Sequence, residues 1–543
     1  MHPGYDAPVS EYPLLKVKDM LKIAINPKGY GDLITNMLKQ MKTSSGLIWN
    51  TFKELEEPEL ETINQDFQVP SFTLGPFHKL IYTLPFCTIQ QAASAGTGEP
   101  LQGHINPMLQ LANLLYSKGF NITILHTNFN APKISNFPHF TFISILDNER
   151  FSNLSILDFA QSFIFKQDGG DDLRDQLELL LASGKDEPVS CLITDALWHF
   201  TQSVADSLNL PRLVVRTTSL YTTIVYASIP LLDDRGYFKL DDTHLEEQVG
   251  EFPLLKVKDI LKMGIKSKKD PYAELIGDMV KQTKASSGII WNSFKELEET
   301  ELERVPHDFP APRFLIPFPK YFTASSSSLL DQDRTFFPWL DQQPPKSVVY
   351  VSFGSISQVE EKELLEIAHG LVYSKQAFLW VVRPGFVNGS TWLESLPNGF
   401  PGERGRVVKW APQQEVLAHE AIGAFWTHSG WNSTLESVCE GVAMICSPLL
   451  GDQPLNARYM SDVSRVGVCL ENGFQREEIS SVIRRVMVDE EGKEIRERMR
   501  VLKQKLDVSL MKGGSSNESM ESLIHFISSF QVLEGKLPKW TFD

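Results

Sequence analysis

The stretch from Trp410 to Gln453, WAPQQEVLAHEAIGAFWTHSGWNSTLESVCEGVAMICSPLLGDQ, constrains this chain more than any other. A short apolar run, Ile422 to Trp426, passes through His428, Ser429 and Gly430 into a helical pattern. A strand, a glycine-containing turn and a helix start make an anion site, because first-turn N–H groups and the positive end of the helix dipole point at whatever sits there. Asn432 and Ser433 add neutral donors, and His428 adds another or a charge. Trp410 offers a flat face for a base, Glu436 can accept from ribose hydroxyls, and Asp452 with Gln453 can hold the hydroxyls of a sugar. A buried aromatic strand–turn–helix without a ligand is the plain alternative. So many polar groups at these spacings favour a nucleotide-sugar site over it.

The same residues resemble the donor box of the plant UDP-dependent glycosyltransferases. That resemblance implies an α/β chain of the GT-B kind, two doubly wound Rossmann-like domains facing across a cleft. It implies Trp410 stacked on uracil with Gln413 beside it, and His428, Asn432 and Ser433 at the diphosphate. Glu436 would meet the ribose, and Trp431, Asp452 and Gln453 the sugar. Gln453 at the last position resembles members that use glucose, so UDP-glucose is the expected co-substrate. The resemblance covers roughly residues 101–530. Within it ILHTNFN, CLITDALW, TASSSSLLD, DQQPP and LNARYMSDV are most similar to the steviol-glycoside glucosyltransferases, which implies a diterpenoid acceptor or its glycoside.

Sugar transfer to an alcohol needs a base for the hydroxyl proton as the anomeric bond breaks. His104, in the turn of LQGHINP, matches the family's catalytic histidine, and Asp195, ending the run CLITD, matches the acid that orients it. Alone, His104 reads equally as a helix cap and Asp195 as an N-cap. Their order, together with the donor box, favours the catalytic pair. Ser355, after a glycine in SVVYVSFGS, is balanced between a phosphate donor and a plain turn serine, and Thr217 and Thr218 match positions near acceptor and sugar. His126, His199 and His419 read as structural or surface groups. There is no Asp-x-Asp and no His/Cys cluster with ligand spacing, so no metal and no cofactor beyond the UDP-sugar is expected. The resemblance implies inversion to a β-glycoside.

A net charge of −16 and a pI near 5.3 argue against nucleic acid and anionic membrane surfaces as partners. Five cysteines, odd in number, suit reduced thiols in a cytoplasmic protein. No apolar run reaches the roughly 18 residues of a membrane span, and the start lacks the pattern of a signal peptide. A monomer acting on small molecules is the expectation.

The 543 residues exceed what one core organises. The expected division is an extra segment 1–80, an N-terminal acceptor-binding α/β domain 81–322, a Ser-rich linker 323–346, a C-terminal UDP-sugar-binding α/β domain 347–510, and a helix with tail 511–543. The extra segment is a repeat of 243–322: PLLKVKDMLKI (13–23) recurs as PLLKVKDILKM (253–263), and SSGLIWNTFKELEE (44–57) as SSGIIWNSFKELEE (286–299). Asn106 and Pro107 are expected to open the helix that follows His104, and SSGIIWNSF to close the first strand series. Where the resembling family runs a strand into the QGH turn, residues 90–100 have a poor strand composition. The expected repair places IYTLPFCTI (81–89) between the strands holding Ile122–Leu125 and Leu192–Thr194, with 90–100 as a loop. Failure of that repair would leave a catalytically impaired, nucleotide-sugar-binding remnant. A nucleotide-binding oxidoreductase is the other rival, without a G-x-G-x-x-G to support it.

Overall fold

The computed structural model describes residues 8–9, 12–16, 47–50, 71–74, 79–83, 102–127, 134–146, 170–183, 189–305, 309–320, 331–387, 396 and 399–530. The chain divides into two compact units, residues 1–77 with 118–120, and residues 78–117 with 121–543.

The larger unit holds two wholly parallel sheets. The first has seven strands: β1 (Lys79–Thr83), β2 (Asn121–Thr127), β3 (Thr141–Leu146), β4 (Val189–Asp195), β5 (Arg212–Arg216), β6 (Gly288–Trp291) and β7 (Arg313–Leu315), in the spatial order 7-6-5-4-1-2-3. The second has six: β8 (Val348–Ser352), β9 (Ala377–Val381), β10 (Gly405–Val408), β11 (Ile422–Thr427), β12 (Ala443–Cys446) and β13 (Gly467–Cys469), in the order 10-9-8-11-12-13. Runs such as VVYVS and IGAFWT are buried at every position, as strands covered by helices on both faces require. In each sheet the order reverses between the first strand and the fourth. Ligands of doubly wound folds bind beyond the carboxyl ends of the strands at that switch.

The repair is present. β1 pairs with β2 through Leu80↔Ile122 to Thr83↔Leu125, and with β4 through Ile81↔Leu192 to Thr83↔Thr194. It begins at Lys79, two residues before the expected start, and residues 84–101 with the expected loop 90–100 lie outside the described residues. The gap that motivates the remnant reading is therefore filled.

Other expectations are corrected. The first strand series closes with β7, not with SSGIIWNSF, because Arg313–Leu315 adds a short parallel edge strand beside β6. The helix expected to follow His104 spans Gln102–Ser117 and includes it, so Asn106 and Pro107 lie inside the helix and not at its start. A short helix, Thr201–Ser207, follows β4. Most of the Ser-rich stretch, 321–330, lies outside the described residues.

One apolar cluster runs from Leu220, Ile289 and Trp291 on the first-sheet side to Leu435, Met444 and Leu506 on the second, so the two sides share a core. The last helix, Ser515–Ser529, returns to the first sheet's edge. There the Leu315 N–H donates to Ser519 Oγ at 3.0 Å, and the Phe314 and Phe526 rings lie 5.5 Å apart. In the smaller unit the repeated sequence makes the repeated pairings. Pro8–Val9 pairs antiparallel with Tyr12–Lys16 as Gln248–Val249 does with Phe252–Lys256, and Leu47–Asn50 pairs parallel with Ser71–Leu74 in the register of β6 and β7.

Candidate functional site

A cleft of about 1310 Å³, open mouth included, lies at the two switch points. It is lined from the first-sheet side by His104, Thr217 and Thr218, and from the second by Ser355, Trp410, Gln413, His428, Trp431, Asn432, Ser433, Glu436, Asp452 and Gln453. Asp195 stands directly behind His104. Every candidate site residue from the sequence is therefore at one place, and His126, His199 and His419 are not among the residues that line it.

His104 is in the first turn of helix Gln102–Ser117, and its side chain is 25% exposed. Its Nδ1 lies 2.9 Å from Asp195 Oδ2 and 3.1 Å from Thr217 Oγ1. Asp195, fully buried at the end of β4, also accepts from the Leu197 N–H at 2.8 Å, but this closes a turn and caps no helix, since the next helix starts at Thr201 with Phe200 at its N-cap, so only the pairing with His104 is present. A carboxylate at Nδ1 keeps the proton there and leaves Nε2 as the ring's acceptor. Burial lowers the imidazole's proton affinity, but the charge and hydrogen bond of Asp195, aided by the charge of Asp452, outweigh it, and the pKa sits above 6.5.

Pro107 explains how this turn is tied to the other side of the cleft. A residue six places into a helix normally donates its N–H to the carbonyl four residues back, and proline has none to give. The Gly103 carbonyl is so released, and it accepts from Asn432 Nδ2. Asn432 Oδ1 in turn accepts from Asn292 Nδ2 at 2.8 Å. The Trp431 indole N–H donates to the Asn292 carbonyl at 2.8 Å, and its ring is 2% exposed, so helix Trp431–Glu440 is anchored by side chains and presents its backbone start to the cleft. Asn292, just past β6, gave no sequence signal, because its partners across the cleft, Trp431 and Asn432, are about 140 residues away.

His428 is sandwiched by glycines. A Cβ on Gly354 would meet His428 Nε2 at 2.6 Å, and one on Gly430 at 2.5 Å. Burial and then the charge of Arg383 push its pKa down to about 4, so the ring is neutral at pH 7. Beyond it Gln413 Nε2 donates to Ser433 Oγ at 2.9 Å and to Glu436 Oε2 at 2.6 Å. Burial raises the Glu436 carboxyl to about 7 against the opposing Gln413 hydrogen bond. Burial likewise raises Asp452, against a 2.8 Å hydrogen bond from Asn456 Nδ2. Gln453 Oε1 accepts from the Leu449 and Leu450 N–H groups at 2.9 and 3.2 Å, which leaves its NH₂ for a ligand.

Among the described residues no group of three or more His, Cys, Asp or Glu side chains could hold a metal, and no helix is long and apolar enough to cross a membrane. The cleft offers a flat indole, neutral donors at a helix start, carboxyl groups for hydroxyls and a histidine–aspartate pair.

The family model for UDP-glucoronosyl and UDP-glucosyl transferases matches residues 178–506. UDP-glycosyltransferase 76G1 of Stevia rebaudiana is 68% identical over 439 residues, spanning 79% of this chain and 95% of that protein. UDP-glycosyltransferase 76B1 of Arabidopsis thaliana is 46% identical over 441 residues, spanning 79% and 97%. Among solved structures, a UDP-glucosyltransferase from Polygonum tinctorium capable of glucosylating indoxyl is similar with a TM-score of 0.67 at 28% identity, covering 83% of this chain and 99% of that one. A UDP-glucose: anthocyanidin 3-O-glucosyltransferase in complex with UDP is similar with a TM-score of 0.69 at 25% identity, covering 83% and 99%.

Proposed function

We propose, from the premise that this chain belongs to the UDP-glycosyltransferase family, that it moves glucose from UDP-glucose to a hydroxyl of a small hydrophobic metabolite or its glycoside. Membership makes it an enzyme that transfers a sugar from a UDP-sugar. The observation that carries the rest is the His104–Asp195 pair, 2.9 Å apart, opening onto the cleft that the donor box lines.

In the proposed reaction His104 Nε2 takes the acceptor's hydroxyl proton while that oxygen bonds to the anomeric carbon. The bond from that carbon to the β-phosphate oxygen breaks, and UDP leaves with the electron pair toward the start of helix Trp431–Glu440. Asp195 stabilises the imidazolium that results. One displacement inverts the centre, giving a β-glycoside from an α-linked donor. The division of labour follows: residues 81–322 carry the acceptor side and the base, and residues 347–510 the donor. Trp410, Gln413 and Glu436 take the uridine, His428, Ser355 and the helix start the diphosphate, and Asp452 and Gln453 the sugar. Thr217 and Thr218 border the acceptor. The sequence resemblance to the steviol-glycoside glucosyltransferases supports a diterpenoid or its glycoside as acceptor.

The test is an acceptor screen with UDP-glucose read by mass. A product heavier by one hexose is expected, with UDP released only when acceptor is present; turnover with no acceptor tested, across phenolics and terpenoids, would overturn the reading. Two variants probe the donor end. Gly354→Ala puts a methyl against the His428 ring at a backbone φ of +73°. Relieving the clash by displacing the His428 ring from the diphosphate end forfeits about 1–3 kcal/mol, so UDP affinity is expected to fall about tenfold to a hundredfold by calorimetry. Gln453→His is expected to shift donor preference away from glucose in a competition of UDP-sugars, and an unchanged ratio counts against Gln453 as a sugar-holding residue.

A further inference from the structure

Asn456 is fully buried, one helical turn after Asp452 in helix Gln453–Arg458, and its amide makes four hydrogen bonds. Nδ2 donates to Asp452 Oδ2 at 2.8 Å and to the Ser429 carbonyl at 3.1 Å. Oδ1 accepts from the hydroxyls of Ser219 at 3.1 Å and Thr222 at 3.2 Å. With Asp452 ionised, the two groups facing the nitrogen can only accept, so the amide sits one way round. All its hydrogen-bonding capacity is used, as a buried amide requires.

Each partner belongs to a different part of the site. Asp452 lines the cleft at the end assigned to the sugar. Ser429 has φ +65°, a left-handed conformation that serine keeps only where its neighbours over-determine it. Its position decides where Gly430 begins the helix that faces the diphosphate. Ser219 caps helix Leu220–Ala227 on the first-sheet side, accepting from the Thr222 N–H at 3.0 Å, two residues after Thr217, whose hydroxyl meets His104. None of the four partners belongs to the uridine end at Trp410, Gln413 and Glu436.

We infer that Asn456 is a positioning residue for the donor sugar: it aims the Asp452 carboxylate, pins the turn at Ser429, and holds both in register with the wall that carries the base. The inference rests on the reading of Asp452 and Gln453 as the pair that holds the sugar. Asn456 touches no reacting atom. Its effect is on where the anomeric carbon stands relative to His104, and displacement there by about 1 Å is enough to cost on the order of 10²-fold in rate.

The test uses the full chain carrying Asn456→Leu, which keeps the branched shape and removes all four hydrogen bonds. Calorimetry measures UDP and UDP-glucose binding, and steady-state kinetics compares UDP-glucose with UDP-galactose. The Ser429 turn keeps its own tie, the Ser429 N–H to Thr427 Oγ1 at 3.1 Å, so the expected result is a UDP affinity lowered by no more than about threefold, loss of the extra affinity of UDP-glucose over UDP, kcat lower by about 10²-fold, and a glucose preference reduced about tenfold. A folded Asn456→Leu with wild-type kcat and donor ratio overturns the inference. So does equal loss of UDP and UDP-glucose affinity, which would mark general support of the donor turn. If that variant does not fold, Thr222→Val cuts one of the two ties to the first-sheet side and leaves the Ser219 cap of helix Leu220–Ala227 in place. It is expected to lower kcat about tenfold at unchanged donor binding, and an unchanged kcat overturns the inference. A wild-type protein that transfers no sugar would sink the proposed function, yet the binding difference between UDP-glucose and UDP, and its loss in Asn456→Leu, would still decide the role of Asn456.

Discussion

Replacing His104 by alanine is expected to lower kcat for glycosyl transfer by about 10²–10⁴-fold, the contribution of a positioned general base, and to leave UDP affinity unchanged. The two effects separate because His104 stands on the helix after β1, whereas the groups proposed for uridine and diphosphate follow β8, β10 and β11. Asp195→Asn keeps the shape but replaces the carboxylate that holds the proton on Nδ1 with an amide that can hold either tautomer. In hydrolase triads the corresponding change costs about 10⁴-fold, and a loss of that order is expected here. Stopped assays of UDP release with acceptor present, alongside calorimetry with UDP, check both. A His104→Ala enzyme that transfers at the wild-type rate would remove the base assignment.

The pH profile supplies an independent check. As the proposed base, His104 would work when neutral, and the net effect of Asp195 and Asp452 against burial is to raise its pKa. The acid limb of kcat/KM is therefore expected to lie above 6.5, and to move down in Asp195→Asn, where the main raising influence is gone. The same pair affects stability with a definite sign. A histidine whose pKa is higher folded than unfolded stabilises fully below the unfolded value, and that contribution fades as pH rises through the folded one. Glu436 acts in the same direction for a different reason. Its buried carboxyl, raised to about 7, favours the fold while protonated, so this contribution fades between about pH 4.5 and 7.

The residues of the proposed donor side could be picked out because strand, turn and helix start are contiguous in sequence, and the structure gathers them in one cleft. His104 and Asp195 were legible through resemblance, and the fold brings them together across 91 positions. Asn292, Gly354 and Asn456 were not. An asparagine in a helix or after a strand has many bland explanations, and what distinguishes these is a partner about 140 to 240 residues distant. Pro107 was misplaced for a related reason. Proline at a helix start is the common case, but here the helix begins five residues earlier and the carbonyl it leaves free is taken by Asn432. Short strands such as β7 and β13, three residues each, carry too little alternation or length to be told from loops.

Two truncations of the repeated start are expected to behave oppositely. Removing residues 1–78 should leave UDP affinity and the melting transition of the remaining chain close to those of the full protein. The strands at 8–9, 12–16, 47–50 and 71–74 pair only with one another among the described residues, and the second copy already supplies the hairpin at 248–256 and the pair β6–β7. Removing residues 1–84 takes six more residues, and with them β1. That strand lies between β2 and β4, so its loss leaves backbone groups of both neighbours without partners. Each buried group left unpaired costs about 1–3 kcal/mol, and a domain has only about 5–15 kcal/mol to lose. Five residues of a central strand exceed that. The shorter chain is therefore expected to lose the cooperative melting of the first-sheet side and all transfer, even if some UDP binding by the second-sheet side persists. Circular dichroism melts with UDP calorimetry on both truncations decide it. A 1–84 deletion that melts and transfers like the full chain would mean that another segment fills the first strand position, and that the turn carrying His104 is held by something other than β1.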